Sequence, residues 1–217
     1  MSEHQQRADV SAMSRAQRQE RQALAELERS LAAIGCRLRP MRTDDAPALA
    51  ALADRLVGKD YYTPAIALEY LAKATIEEEV CAWVAEAKGE LVAFRFVCPP
   101  GRWEAGRGQG LSPERWSAPL AATAYFQSCF VDPQLMGHGV GRALALMAFQ
   151  ALRRLGARAV VTHSWKESPH DSSRRYLSRL GFSVVAEYPR YWSEIDYICP
   201  RDGQPCGCTA LEMARAL

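Results

Sequence analysis

The spacing of apolar and polar positions predicts a chain in which short strands alternate with amphipathic helices. Leucines 24, 27 and 31 and Ile34 fall on one helical stripe, which predicts a helix over about residues 11–34. Period-two and short continuous apolar runs predict strands at 36–41, 80–87, 90–97, 122–131, 159–162, 182–187 and 191–198. Helical stripes with caps predict further helices between Thr43 and Gly58, from Thr63 onwards, up to Gly156, and over 171–180.

The connections between these elements indicate a mixed sheet. Lys88 and Gly89 join two strands in a tight hairpin, so those strands are antiparallel. The run 159–162 is apolar throughout, as in a buried parallel strand, so 122–131, the next helix and 159–162 form a βαβ unit. The segment 98–119 is rich in Pro, Gly, Arg and Trp and is interpreted as a long insertion loop, either a substrate lid or an insertion without a role.

Composition narrows the class of protein. A chain of 217 residues with 48% hydrophobic residues suits one domain with appendages, and a net charge of +2 gives no reason to expect nucleic-acid binding. No run is long enough to cross a bilayer and the first residues lack a secretory signal, so a cytoplasmic protein without a membrane partner is expected. The seven cysteines are interpreted as reduced thiols.

The stretch from Phe130 to Gly156 combines a strand end, a turn with glycines at 137, 139 and 141, and an amphipathic helix. Glycines allow close approach of the backbone to a ligand, and a helix start supplies unpaired N–H groups and a positive dipole end. The stretch therefore predicts a phosphate-binding turn, although glycine clusters also occur as plain turns.

This stretch, in V-D-P-x-x-x-G-x-G-x-G, and the later R-L-G-F resemble the GNAT superfamily of acyl-coenzyme-A-dependent N-acyltransferases. The resemblance implies an α+β fold with a mixed, mostly antiparallel sheet of six to seven strands flanked by helices, here with an extra N-terminal helix. It divides the chain into a helical extension (1–35), a GNAT-like domain (36–198) and a cysteine-bearing tail (199–217). The extension is expected to pack on its own domain, with a homodimer as the alternative.

In the family, backbone N–H groups at the glycine turn hold the pyrophosphate of coenzyme A, and the pantetheine arm pairs with the preceding strand in a gap between splayed strands. The resemblance implies the following cofactor-binding residues: Phe130, Val131, Gly137, His138, Gly139, Val140, Gly141, Arg142, Ser172 and Ser173. The plain alternatives are a solvent-facing His138 and a helix cap at Ser172.

Two positions depart from the family pattern. Met136 stands where a phosphate-binding Arg or Gln is usual, and Leu177 stands where a Tyr usually protonates the leaving thiolate. Tyr176 is one residue away, about 100° around the helix, and is the candidate general acid or a packing tyrosine. His163 and Glu86 are the candidate general bases. The alternatives without a catalytic role are a core histidine and a solvent-facing carboxylate.

The cysteines at 199, 206 and 208 have the spacing C-x6-C-x-C. Three thiolates could bind zinc, with Asp202 as a fourth ligand if the tail folds back, but the paired C-x2-C motifs of zinc sites are absent. The sequence therefore favours a protein without a metal.

These observations together predict an N-acetyltransferase that transfers an acetyl group from acetyl-CoA, its co-substrate, to a primary amine by direct attack in a ternary complex. The missing Tyr and Met136 leave a second hypothesis, a non-catalytic acyl-CoA-binding sensor or regulatory module. The identity of the amine does not follow from the sequence, because acceptor loops rather than the fold determine it.

Overall fold

The computed structural model describes residues 13–104 and 110–217. The α-helices are α1 (Arg15–Ala33), α2 (Ala46–Leu56), α3 (Pro64–Lys73), α4 (Val140–Arg154) and α5 (Ser172–Arg179). The strands are β1 (Cys36–Pro40), β2 (Thr75–Ile76), β3 (Glu79–Val80), β4 (Ala82–Ala87), β5 (Glu90–Cys98), β6 (Thr123–Val131), β7 (Ala159–Trp165), β8 (Ser183–Tyr188) and β9 (Ala210–Ala216).

Seven strands form the central sheet in the order β1-β4-β5-β6-β7-β9-β8, and a two-stranded hairpin of β2 and β3 stands apart from it. Within the central sheet only β6 and β7 are parallel. The predicted hairpin is confirmed, since Lys88 (φ 54°) and Gly89 (φ 81°) make the two-residue turn between β4 and β5. The mixed, mostly antiparallel sheet and its βαβ unit are therefore as predicted.

The C-terminal part of the prediction is wrong. Residues 191–198 do not form a strand, and the supposed tail contains β9, which lies between β7 and β8 and pairs with both. The segment ALEMARA carries Glu212 among apolar residues and has helical propensities, so its pattern does not indicate a strand. Its two strand neighbours supply the hydrogen bonds that override this local preference.

Alternation along β5 defines the two faces of the sheet. Phe94 and Phe96 contact the ring of Tyr62, which lies between α2 and α3. Arg95, between them, must point to the other side, where its guanidinium lies 4.3 Å from the ring centre of Phe126. We call the side covered by α1, α4 and α5 the α4 face, and the opposite side, covered by α2, α3 and the chain that follows β5, the α2 face.

Helix α1 packs on its own domain, as expected. Leu24 and Leu31 are buried, and Glu20 forms ion pairs with Arg153 of α4 (2.8 Å) and Arg215 of β9 (2.9 Å). Its start is capped by Ser14. The apolar stripe of this helix is thus covered within one chain, and a homodimer stays a prediction. None of the helices in the described part of the chain is both long and apolar enough to cross a membrane.

Candidate functional site

The parallel strands β6 and β7 pair over only three residues each and then separate. Their register joins residues 123–125 to residues 159–161, whereas β6 continues to Val131 and β7 to Trp165. Beyond this point β6 is paired with β5 on one side only. Past Phe126, whose carbonyl oxygen accepts from Oγ1 of Thr162 at 2.9 Å, the edge of β6 that faces β7 has no strand partner in the described part of the chain and offers its backbone groups to an extended ligand that enters the gap.

A glycine turn lies directly after β6 at the mouth of this gap. Gly137 (φ 85°) and Gly139 (φ 88°) both have left-handed backbone conformations that other residues rarely adopt. Gly139 is the N-cap of α4. The first N–H groups of α4, from Val140 to Arg142, have no partners within the helix, so the turn presents a cluster of donors at the positive end of a helix dipole.

The turn is partly covered by the N-terminal helix. A Cβ atom on Gly139 would lie 2.5 Å from Cδ2 of Leu27 in α1, while a Cβ on Gly137 would meet nothing within 4 Å. Met136 is 62% exposed. The exposed His138 has its Nδ1 3.3 Å from the carbonyl oxygen of Met136, beside the turn rather than inside it.

The other predicted cofactor residues border the same gap. Phe130 and Val131 are half-buried at the end of β6, where the Phe130 ring contacts Tyr61 on the α2 face. On the α4 face, the hydroxyl of Ser164 in β7 donates to Ser173 of α5 at 2.8 Å. Ser172 is exposed. Strand β7 and helix α5 are thus linked where the strands separate.

Tyr176 lies between α5 and the start of α4. Its hydroxyl donates to the carbonyl oxygen of Gly141 at 2.7 Å and accepts a hydrogen bond from Nη2 of Arg95 at 2.7 Å. Burial raises the pKa of Tyr176, so the hydroxyl keeps its proton at neutral pH. Leu177 is buried in the core, so the two neighbouring positions of α5 have different surroundings.

Arg95 was not predicted as a site residue. It is only 2% exposed, and among the described residues no carboxylate lies within 4.0 Å of its guanidinium. Its contacts include the hydroxyl of Tyr176, the thiol of Cys129 and the face of the Phe126 ring. A buried positive charge without a counter-ion is costly. The feature of the sequence that could have indicated this residue is a single arginine inside the apolar run of β5.

On the α2 face, His163 projects from the part of β7 that has separated from β6. Its Nδ1 lies 2.8 Å from the hydroxyl of Tyr125 and 3.0 Å from that of Tyr191, whose ring stacks on the imidazole at 4.2 Å. Burial lowers the pKa of His163 to about 4, against a smaller opposing effect of the Gly110 backbone, so the ring is neutral at pH 7.

Glu212 of β9 stands opposite His163 in the register, so both side chains point to the α2 face. It is fully buried, and its Oε1 accepts hydrogen bonds from the backbone N–H of Ser112 (3.2 Å) and from Nε1 of Trp116. Its Oε2 has no hydrogen-bond partner in the described part of the chain, nor is any Lys or Arg there paired with it. Glu212 was not predicted as a site residue because β9 was interpreted as part of a tail.

Glu86, the other candidate base, lies away from the gap. Its carboxylate accepts a hydrogen bond from Nε of Arg39 at 3.1 Å, and the same guanidinium binds Asp45 through two contacts of 2.7 Å. Strand β5 separates β4 from β6. The structure therefore brings His163 and Tyr176 to opposite faces of the gap and leaves Glu86 in a structural ion pair.

Comparisons with known proteins agree with this architecture. A sequence model described as "Acetyltransferase (GNAT) family" matches residues 47–182. The comparison with curated proteins gives no match.

Several solved structures are similar in fold. Ard1 from Thermoplasma volcanium has a TM-score of 0.59 at 18% identity over 85% of this chain and 99% of its own. YncA from Salmonella typhimurium, in a structure with its cofactor acetyl-CoA, has a TM-score of 0.59 at 17% identity over 84% and 94%. Arabidopsis thaliana Naa50 in complex with the bisubstrate analogue CoA-Ac-MVNAL has a TM-score of 0.58 at 14% identity over 85% and 100%. At these identities the similarity shows the fold.

Proposed function

The chain belongs to the GNAT family of acetyltransferases, and on that premise we propose that it transfers an acetyl group from acetyl-CoA to a primary amine by direct attack in a ternary complex. The observation that carries this proposal is the gap between β6 and β7, which has a glycine turn at its mouth and, on its two faces, buried side chains of opposite charge, Arg95 and Glu212, that form no ion pair among the described residues.

The cofactor would occupy the α4 face of the gap. Its diphosphate suits the N–H groups of Gly137 and of Val140 to Arg142, since the helix start favours an anion and the space beside Gly137 is open, while Leu27 of α1 borders the turn at Gly139. The pantetheine arm carries amide groups that match the unpaired edge of β6. This placement does not depend on Met136, whose side chain has no donor for a phosphate.

Arg95 supports an anionic ligand on this face. Its charge has no carboxylate partner among the described residues, and one hydroxyl, that of Tyr176, connects it to the carbonyl of Gly141 in the turn. In a poorly solvated interior such a charge raises the local positive potential over several ångströms. We therefore assign Arg95 to stabilising the bound cofactor through the field at the start of α4.

The amine would bind on the α2 face beside Glu212 and His163. A buried carboxylate with one unpaired oxygen complements an ammonium group, the form in which most primary amines arrive at pH 7. The reacting species is the neutral amine, so the proton must leave before or during attack. Neutral His163, oriented by Tyr125 and Tyr191, is the group positioned to accept it.

The chemical step then needs no covalent enzyme intermediate. The amine nitrogen attacks the thioester carbonyl carbon, the C–S bond breaks, and the electron pair leaves with sulfur as the thiolate of CoA. Backbone N–H groups at the gap are suited to stabilise the oxyanion. Tyr176 is the candidate to return a proton to the thiolate, since burial keeps its hydroxyl protonated at neutral pH and the adjacent positive charge of Arg95 favours release of that proton.

A thioester-consumption assay tests the proposal directly. Acetyl-CoA is offered with a panel of amines that includes short peptides, because one structural neighbour binds a CoA–peptide bisubstrate analogue. Turnover with at least one amine supports acetyl transfer. Calorimetric binding of acetyl-CoA without turnover on any amine would favour the sensor hypothesis, and absence of binding would exclude both.

A further inference from the structure

The connection between β8 and β9, residues 189–209, brings together four side chains that the proposed acetyl transfer does not use. The sulfur atoms of Cys199, Cys206 and Cys208 and a carboxylate oxygen of Asp202 all lie within 4.8 Å of one another. The three cysteines are between 1% and 3% exposed. We propose that these four residues bind one zinc ion, which fixes the shape of this connection.

The spacing of the ligand atoms suits tetrahedral zinc. With Zn–S bonds of about 2.3 Å and a Zn–O bond of about 2.0 Å, tetrahedral geometry separates two sulfurs by about 3.8 Å and a sulfur from an oxygen by about 3.5 Å. Sγ of Cys208 lies 3.8 Å from Sγ of Cys199 and 3.4 Å from Oδ2 of Asp202. Three thiolates and one carboxylate form a closed set of four protein ligands, which is typical of a structural zinc site rather than a catalytic one.

The local backbone explains how the first two ligands meet. Cys199 and Gly203 exchange two backbone hydrogen bonds, of 3.0 and 2.9 Å, and Gly203 has a φ of 76°. This tight turn places Cys199 and Asp202 at a C-x2-D spacing, the spacing that C-x2-C motifs use for two zinc ligands. The paired motif is thus present, with the carboxylate of Asp202, the possible fourth ligand named from the sequence, in the second position.

Groups around the four ligands hold them in place. The backbone N–H of Gly207 donates to Oδ2 of Asp202 at 3.1 Å, and the hydroxyl of Tyr197 donates to Sγ of Cys206 at 3.3 Å. Three thiolates and a carboxylate carry two more negative charges than a zinc ion neutralises. Arg201, whose Nη1 lies 3.9 Å from Sγ of Cys208, offsets part of this excess.

A disulfide accounts for the cluster less well. The Sγ atoms of Cys199 and Cys208 are 3.8 Å apart, far beyond a disulfide bond length of about 2.05 Å, and any single disulfide would leave the third buried thiol and Asp202 without a role. All four residues are accounted for together when they share one ion.

The connection that zinc would fix forms one wall of the proposed amine site, a consequence that rests on the proposed function. The backbone N–H of Tyr191, whose ring stacks on His163, donates to the carbonyl of Cys208 at 3.1 Å. The ring of Tyr197 lies 5.1 Å from that of Tyr61, which contacts Phe130 beside the gap. Metal binding would therefore set the positions of two tyrosines that face the acceptor.

The test measures metal content on the full chain, independently of any activity. The protein is purified without chelators, equilibrated with zinc, desalted and analysed by elemental mass spectrometry, and in parallel it is loaded with cobalt(II) for absorption spectroscopy. We expect about one zinc per chain and cobalt bands typical of tetrahedral thiolate coordination. Cys206→Ser and Cys208→Ser should lose most of the metal, whereas Cys98→Ser, at a buried thiol outside the cluster, should keep it.

The Asp202→Cys variant is the control for loss of metal that is caused by unfolding of the chain rather than by loss of a ligand. It completes a four-cysteine set, so it should retain zinc and intensify the thiolate-to-cobalt charge-transfer absorption. A wild-type chain without stoichiometric zinc or tetrahedral cobalt bands overturns the proposal, as does a Cys199–Cys208 disulfide found by alkylation under non-reducing conditions. If the site forms, removal of zinc should raise KM for the amine while the Kd of acetyl-CoA stays unchanged; loss of turnover with intact zinc would count against the acetyl-transfer proposal alone.

Discussion

The His163→Gln variant measures how much the burial of His163 on the α2 face contributes to the pH dependence of stability. Burial lowers the pKa of His163 to about 4, whereas a histidine in an unfolded chain titrates near 6.5. The unfolded state therefore takes up a proton at a higher pH than the folded state. The stability that follows from the neutral ring is fully present above pH 6.5 and is lost as the pH falls through this window.

The magnitude follows from the two pKa values. Linkage gives a loss of about 2 kcal/mol between pH 7.5 and pH 5, and of about 3 kcal/mol by pH 4. Urea unfolding of the wild type and His163→Gln at pH 7.5, 6 and 5 measures this component as the difference between the two curves. Carboxylates common to both proteins cancel in that difference to first order.

His138→Gln is the matched control, since His138 is exposed beside the glycine turn and its removal should leave the pH dependence of stability unchanged. Wild type and His163→Gln should differ more at pH 7.5 than at pH 5. Parallel stability curves for these two proteins across the same range would refute the burial argument for this histidine.

Two further experiments separate the roles assigned around the gap. Tyr176→Phe should lower kcat at least tenfold with little change in KM for acetyl-CoA if the hydroxyl returns a proton to the thiolate; a change confined to KM would instead make it a residue that positions the turn. Arg95→Met should raise KM for acetyl-CoA but not for the amine, and Glu212→Gln should do the reverse, since each removes a buried charge from one face of the gap. In urea unfolding, Arg95→Met should lower the free energy of unfolding less than Arg39→Met does. Arg39→Met leaves the buried carboxylate of Asp45 without its ion-pair partner, at a cost of about 3 kcal/mol. The opposite ranking would show that Arg95 is a structural residue.

The elements with strong local signals were predictable from the sequence. The glycines of the phosphate turn, the Lys88–Gly89 hairpin and the apolar parallel strand each carry their conformational preference in a few residues. The pattern of such local signals was enough to indicate the family.

What the sequence did not reveal depends on partners distant in the chain. Glu212 interrupts the apolar pattern of β9 and is tolerated because Ser112 and Trp116, about a hundred residues earlier, donate to it. Tyr191 belongs to an apolar run that predicts a strand, but the segment forms no strand and the Tyr191 ring stacks on His163. Arg95 of β5 likewise contacts Tyr176 of α5, which lies 81 residues later in the chain. Local sequence propensity does not reflect contacts between residues that are far apart in the chain.

The central claim is that the glycine turn before α4 binds the diphosphate of coenzyme A, and calorimetric titration with CoA tests it most directly. Gly137 and Gly156 stand before and after the same helix, with φ of 85° and 78° and open space where a Cβ would lie, so Gly137→Val and Gly156→Val impose similar backbone strain. Substitution of Gly139 is less suitable for this test because the added Cβ would lie only 2.5 Å from Cδ2 of Leu27. We predict that the wild type and Gly156→Val bind CoA with similar Kd and that Gly137→Val binds at least tenfold more weakly. Equal affinity in all three proteins, or no binding by the wild type, would contradict the account.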